Sequence, residues 1–135
     1  MVQMSIRYTG EKRCEATHGP SGTIIQTDAP VDNGGKGAAF SPTDLVGTAL
    51  ATCVVTTMAI VAERHGIAFG DATASVSKEM SPAPRKIAQL PVVVKMPKGI
   101  QAKDRVLLEN AAHTCPVHRS LHPDVKAPIS FVYPD

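Results

Sequence analysis

The stretch "SPTDLVGTALATCVVTTMAIVAERHG", residues 41–66, decides how this chain folds. Ser41 can cap a helix, Pro42 suits the first helical position, and Asp44 stands three places after the cap, the spacing of a reciprocal capping box. Gly66 after His65 supplies a stop signal. Between these signals, from Leu45 to Ala62, no residue is charged. A helix with no charged face either crosses a membrane or is covered on every side. Thr48, Thr52, Thr56, Thr57 and Gly47 dilute its apolar character, and no cluster of Lys or Arg marks a flank, so the expectation is a buried helix and no membrane. One small sheet covers only one face of such a helix. In a chain this short, the expected cover for the rest is a second copy, which makes the protein a homodimer.

Strand signals lie on both sides of this helix. Upstream, "MSIRYT", "RCEATH" and "GTIIQT" read as strands, punctuated by Gly10 and by "GPSG" at 19–22, and a loop "DAPVDNGGKG" follows. Downstream, "ATASVSKEM" alternates like a strand, and "RKIAQLPVVVKM" reads as another, with Pro91 marking a bulge or an edge. "KDRVLLENAAH" has helical spacing, with Val106, Leu107, Asn110 and Ala111 broadly on one side. Pro116 breaks or restarts it, and "APISFVYP" closes the chain as a strand. The order βββ-α-ββ-α-β predicts an α+β fold. No repeat, low-complexity run or linker divides the chain, so residues 1–135 are expected to form a single domain.

The 135 residues are enough for one ordinary core, which without Trp and with three Phe and two Tyr must be mainly aliphatic. A net charge of +2 with mixed signs gives no field for a polyanion, and the stacking aromatics of single-strand binders are missing. Nucleic acid is therefore excluded as an expected partner. Cys14, Cys53 and Cys115 are odd in number and far apart, which does not suit a secreted disulfide framework. The N-terminus carries no apolar signal segment, so a cytoplasmic location is expected.

The chemistry concentrates in "AAHTCPVHRSLHPD", residues 111–124. His113, Cys115, His118 and His122 offer four nitrogen and sulfur donors of the kind zinc takes. Their spacing is not a knuckle pair, and Pro116 and Pro123 interrupt it. The preferred reading is a positively charged loop tuning a thiol, with no metal or other cofactor. Cys115, at a helix break, is expected to be the more accessible thiol. Cys53, mid-helix, reads from the helix alone as a small packing residue. Cys14 lies in a strand, and His18 and His65 stand alone.

Taken together, "FSPTDLVGTALATC" and "AAHTCPVHRSL" resemble the two cysteine motifs of the OsmC/Ohr family, osmotically inducible and organic hydroperoxide resistance proteins. The order of elements is similar over essentially the whole chain. The resemblance implies an α+β intertwined homodimer with the long helices at its centre and the site at the dimer interface. It implies thiol-dependent reduction of organic hydroperoxides, recycled by an external dithiol. Cys53 would then be the peroxidatic thiol and Cys115 the resolving one, with sulfenic acid and disulfide as successive states. In the family an arginine held by a glutamate supports the thiolate. Here the glutamate position holds Thr43, with Asp44 one place on. Arg13 on the N-terminal strands is the first candidate for the arginine and Arg7 the second. Two other classes stay open: a non-catalytic protein that binds a small apolar ligand at the dimer interface, and a metal-binding module centred on Cys115.

Overall fold

Ser41 and Asp44 cap each other as their spacing predicts. In the computed structural model of the chain, which describes residues 1–134, helix α1 runs from Pro42 to Arg64. The Asp44 N–H donates to Ser41 Oγ at 3.1 Å, and the Ser41 N–H donates back to Asp44 Oδ2 at 2.9 Å. Two backbone donors at the helix start are thereby satisfied locally. The Asp44 carboxylate also faces the positive end of the helix dipole. Gly66 ends the run at a φ of 65°, the left-handed conformation that favours glycine, and the Ile67 N–H reaches back to the Ala62 carbonyl at 2.9 Å.

Two compact units make up the chain, Met1–Val46 and the residues from Gly47 onward. The division falls inside α1, where nothing in the composition marks it. In the first unit, β1 (Met4–Gly10), β2 (Arg13–His18) and β3 (Ile24–Asp28) form an antiparallel meander in that order. The β1–β2 loop is Glu11-Lys12, with φ of 55° and 62°. Positive φ at both loop residues suits the strand twist, but costs residues with a β-carbon roughly 1 kcal/mol or more each. Lys12 offsets part of that, since its N–H reaches Tyr8 Oη at 3.2 Å and its Nζ the Gly34 carbonyl at 2.9 Å. Gly35 is required by close approach, because a β-carbon there would meet the Ala29 carbonyl oxygen at 1.8 Å. Cross-strand partners place Met4, Ile6, Tyr8, Cys14, Ala16 and Ile25 on one face of the sheet. Met4, Ile6 and Tyr8 on that face are exposed.

In the second unit, β4 (Thr73–Val76) pairs antiparallel and β8 (Ile129–Val132) parallel with β7 (Val92–Lys95). A separate hairpin joins β5 (Glu79–Pro82) to β6 (Arg85–Gln89). The two long strands expected from the sequence are thus each broken in two. Pro91 has no N–H to donate, so β6 ends before it and β7 begins after it. Opposite this break, the Ser77 N–H bonds to the Pro91 carbonyl at 3.2 Å, and the partner strand parts at the same level. Helix α2 (Ala102–Ala112) is followed by a single turn, α3 (Pro116–Ser120), so Pro116 restarts the helix. The buried side of α2 is Leu108, Ala111 and Ala112, while Val106 is exposed. That stripe lies about one position round from the one expected. The observed order is βββ-α-ββββ-αα-β, and the α+β class stands.

Gly47, Leu50, Ala51, Val54, Met58 and Ala62 form the buried stripe of α1, at the three- and four-residue spacing of one helix face. A β-carbon on Gly47 would lie 3.3 Å from Leu90 Cδ2 and 3.7 Å from Val76 Cγ2, so the glycine sets how closely the helix approaches the strands. Leu90, Val92, Val94 and Leu108 are likewise shut off from solvent. Yet only 33 % of the helix's 18-residue apolar window is buried, and by length and composition alone the helix could cross a membrane. Ala49, Thr52, Thr56 and Ile60 are exposed. Burial on every side is therefore not achieved within one chain.

The capping box makes a direct test. Ser41→Ala should cost about 1 kcal/mol of stability in urea unfolding at fixed protein concentration, and Asp44→Asn about 1 kcal/mol or less. A much larger loss at Asp44 would mean that its carboxylate holds more than the helix start.

Candidate active site

Cys53 sits at the edge of the α1 stripe, three residues after Leu50 and just before Val54, and is half-buried. One turn on, Thr57 Oγ1 lies 3.9 Å from its sulfur. Cys115 is supplied by the corner between α2 and α3. There, Thr114 Oγ1 bonds to the Ala111 carbonyl at 2.7 Å and tightens the exit from α2. Cys115 is the N-cap of α3, with Pro116 at the first helical position, and its sulfur accepts the His118 N–H at 3.4 Å. Its exposure is 0 %. The expectation that Cys115 would be the more accessible thiol is thus reversed, because the corner folds its side chain inward instead of opening it.

The two sulfurs are neighbours, each bearing on the other's acidity. Burial alone would push Cys53 up. The Cys115 thiol, the Val117 N–H and the Thr57 hydroxyl together outweigh burial, and its pKa falls below the ordinary thiol value. Cys115 moves the other way: burial, its bond to Cys53 and the neighbouring negative charge raise it, against the His118 and Val117 N–H groups. The pair is therefore polarised: the half-exposed Cys53 is the more readily ionised thiol and the enclosed Cys115 the less. A thiolate is the reactive form of cysteine, so the opposite shifts make Cys53 the more reactive of the two thiols.

No cation figures among these influences on either sulfur. The charged loop expected around Cys115 instead directs its histidines elsewhere. His113 Nδ1 lies 2.8 Å from the Glu109 carbonyl, His118 Nε2 lies 2.9 Å from the Ala127 carbonyl, and His122 Nδ1 accepts the Asp124 N–H at 3.0 Å. Among the described residues, no three His, Cys, Asp or Glu side chains converge as metal ligands. In the first unit, Arg13 Nε pairs with Asp28 Oδ2 at 3.6 Å, and Arg7 pairs with Glu15 at 3.2 Å. The Asp28 carboxylate is 1 % exposed, and the Ala38 N–H does most to hold its pKa below the usual range against burial, with help from Arg13. Asp44 is in the capping box. Of the four residues expected at the site, Cys53 and Cys115 are neighbours in the second unit; in the first unit, Asp44 pairs with Ser41 and Arg13 with Asp28.

Three contributors escaped the sequence reading. The Val117 N–H is a backbone group, invisible to motif analysis, although proline at the first position of a turn signals that the next amides are unpaired. Thr57 stands four residues after Cys53, a spacing that places both on one side of the helix. The His118 ring was read as a charge, not as a hydrogen-bond donor to the backbone.

The sequence profile of the OsmC-like protein family matches residues 34–130. The chain belongs to the OsmC-like protein family. It is 39 % identical to a protein of Psychrobacter arcticus 273-4 provisionally named an osmotic stress induced and detoxification response protein. That match covers 97 % of this chain and 96 % of the other, at a TM-score of 0.92. The fold is shared with the organic hydroperoxide resistance protein OsmC of Legionella pneumophila, at 20 % identity, 98 % and 96 % coverage and a TM-score of 0.75. An organic hydroperoxide resistance protein of Elizabethkingia anophelis has the same fold, at 14 % identity, 98 % and 96 % coverage and a TM-score of 0.74. No curated protein matches the chain. The OsmC/Ohr resemblance of the two cysteine motifs is confirmed at the level of family and fold.

The polarised pair predicts an order of labelling. Near neutral pH, iodoacetamide should modify Cys53 well before Cys115, followed by peptide mass spectrometry so that Cys14 is counted separately. Cys115→Ala removes one of the donors to the thiolate, so the midpoint of Cys53 alkylation should move to higher pH. Equal labelling of both thiols would contradict the polarisation.

Proposed function

We propose that this OsmC-like protein is a thiol peroxidase for organic hydroperoxides, with Cys53 peroxidatic and Cys115 resolving. The observation that carries the reading is a pair of neighbouring thiols whose acidities are driven apart. The Cys53 thiolate attacks the terminal peroxide oxygen and the O–O bond breaks. Cys53 becomes a sulfenic acid, and the alkoxide takes a proton to leave as the alcohol. The Cys115 proton is held beside the reacting sulfur and is the nearest source for that transfer. Losing it makes Cys115 a thiolate, which attacks the Cys53 sulfur and forms the disulfide, expelling the sulfenic oxygen as hydroxide that takes a proton from solvent to become water. A dithiol reductant then exchanges with the disulfide, is itself oxidised, and returns both thiols.

The chain works as a homodimer in this proposal. Support comes from the uncovered, uncharged side of α1 and from the exposed Met4, Ile6 and Tyr8 on the first sheet. A groove of about 260 Å³ along α1, lined by Ala51, Thr52, Val55, Thr56 and Ala74, offers room for an apolar body. The same groove is what favours the second reading, a non-catalytic protein that holds a small apolar ligand.

Turnover separates the two readings. Cys53→Ser should abolish consumption of cumene hydroperoxide in the presence of a dithiol. Cys115→Ser should allow one turnover and trap Cys53 with one added oxygen, seen by mass. Should Cys53→Ser consume the peroxide as fast as the parent, the peroxidase reading fails and the ligand-binding reading replaces it. The dimer is tested independently by light scattering at micromolar concentration. Twice the chain mass is expected, with a buried area above ~2,000 Å² in total. A monomer would remove the proposed cover for α1.

A further inference from the structure

His118 occupies a position that neither the thiol chemistry nor the charge expected of it explains. Its backbone N–H bonds to Cys115 Sγ at 3.4 Å, while its ring reaches the other way, with Nε2 2.9 Å from the Ala127 carbonyl. A carbonyl only accepts, so the ring proton sits on Nε2. The Ala127 segment is itself fixed. The Leu90 N–H bonds to the Lys126 carbonyl at 2.7 Å and the Val92 N–H to the Pro128 carbonyl at 2.9 Å. Carbonyls alternate in direction along an extended segment, so the Ala127 carbonyl points away from that pairing edge. His118 satisfies it.

The Arg119 N–H on the Cys115 carbonyl at 3.1 Å and Ser120 Oγ on the Pro116 carbonyl at 2.8 Å are bonds within the α3 turn, whereas the His118 ring bond ties the turn to another segment. The turn is five residues long, it opens with a proline that has no N–H, and a single turn has little cooperativity of its own. Its orientation nevertheless decides where the Val117 and His118 N–H groups point, and where the Cys115 side chain goes. We propose that His118 is a positioning residue of the thiol pair: its ring bond to the Ala127 carbonyl holds the α3 turn so that the Val117 and His118 amides and the Cys115 thiol face the two sulfurs. The role serves catalysis on the peroxidase reading given above. The geometry itself concerns the chain's own thiols and can be tested without any peroxide.

Two substitutions of near-equal length separate a hydrogen bond from mere packing. Gln can donate from its amide to the Ala127 carbonyl. Met fills similar space, has comparable helix propensity and donates nothing. The measurement is the pH dependence of Cys53 alkylation by iodoacetamide, resolved by peptide mass, on folded protein checked by circular dichroism. Each unit of upward shift lowers the thiolate fraction about tenfold below the midpoint. His118→Met should slow Cys53 alkylation near pH 6.5 by about threefold or more and leave it unchanged above about pH 10, where every thiol is ionised. His118→Gln should stay within about twofold of the parent throughout. An unchanged profile in His118→Met, or an equal slowing in both variants, overturns the proposal. Because no turnover is measured, these outcomes are independent of whether Cys53 reduces hydroperoxides.

Discussion

A helix of 23 residues with an uncharged centre has to be taken out of water, and the second unit is arranged around that requirement. The chain's own residues cover one stripe of it. Gly47 lets Leu90 and Val76 come close, and Leu50, Val54 and Met58 fill the space behind. Cys53 is placed by this packing. A thiol in the centre of the stripe would be inert filling, and one on the far side would be fully hydrated. At the edge it is enclosed enough for a few donors to control its charge and open enough for a small molecule to arrive.

Within the second unit, dipoles bear on that charge. The lowered pKa of Cys53 is accounted for by a thiol, an amide and a hydroxyl. Each is a fixed donor on a nearby element, and such donors cost no reorganisation when the charge is present. The Arg13–Asp28 pair has a different character. Its carboxylate is buried, with Oδ1 meeting no hydrogen-bond partner among the described residues, and the loop around Gly35 closes on it. Removing Arg13 would leave a less compensated buried charge, so any effect of Arg13→Ala on reactivity has to be read against a loss of stability.

Much of this was legible in the sequence because local chemistry decided it. Ser41, Pro42, Asp44 and Gly66 bound α1 without help from the rest of the chain, and the three N-terminal strands follow from alternation between turn residues. Pro91 was recognised as a disturbance, but its full effect was not. A missing N–H ends a strand only if the partner strand also breaks, and that depends on where Ser77 lies across the pairing. The side of α2 that faces inward was misjudged by one position, because Val106 and Leu108 are equally apolar and only tertiary packing chooses between them. At the site, both thiols could be named from their motifs. Their relative exposure could not, since it is set by the α2–α3 corner, and the backbone amides that charge the pair leave no mark in a residue pattern.

The inversion of exposure bears on the order of chemical events. If the enclosed sulfur were the anion, a peroxide would have to reach a thiol with no exposed surface, and the half-exposed one would be left to resolve it. The opposite shifts of the two thiols avoid that. On the proposed reading, Cys53 meets solvent first and is the more readily ionised, while Cys115 holds its proton more firmly until the neighbouring sulfur has been oxidised. Oxidation of Cys53 to a sulfenic acid also removes the adjacent negative charge that helps hold the Cys115 pKa up. The second thiol therefore becomes easier to ionise at the step where its attack is required. In that cycle the nearness of the two sulfurs would shorten the life of the sulfenic acid, which limits its further oxidation to sulfinic acid.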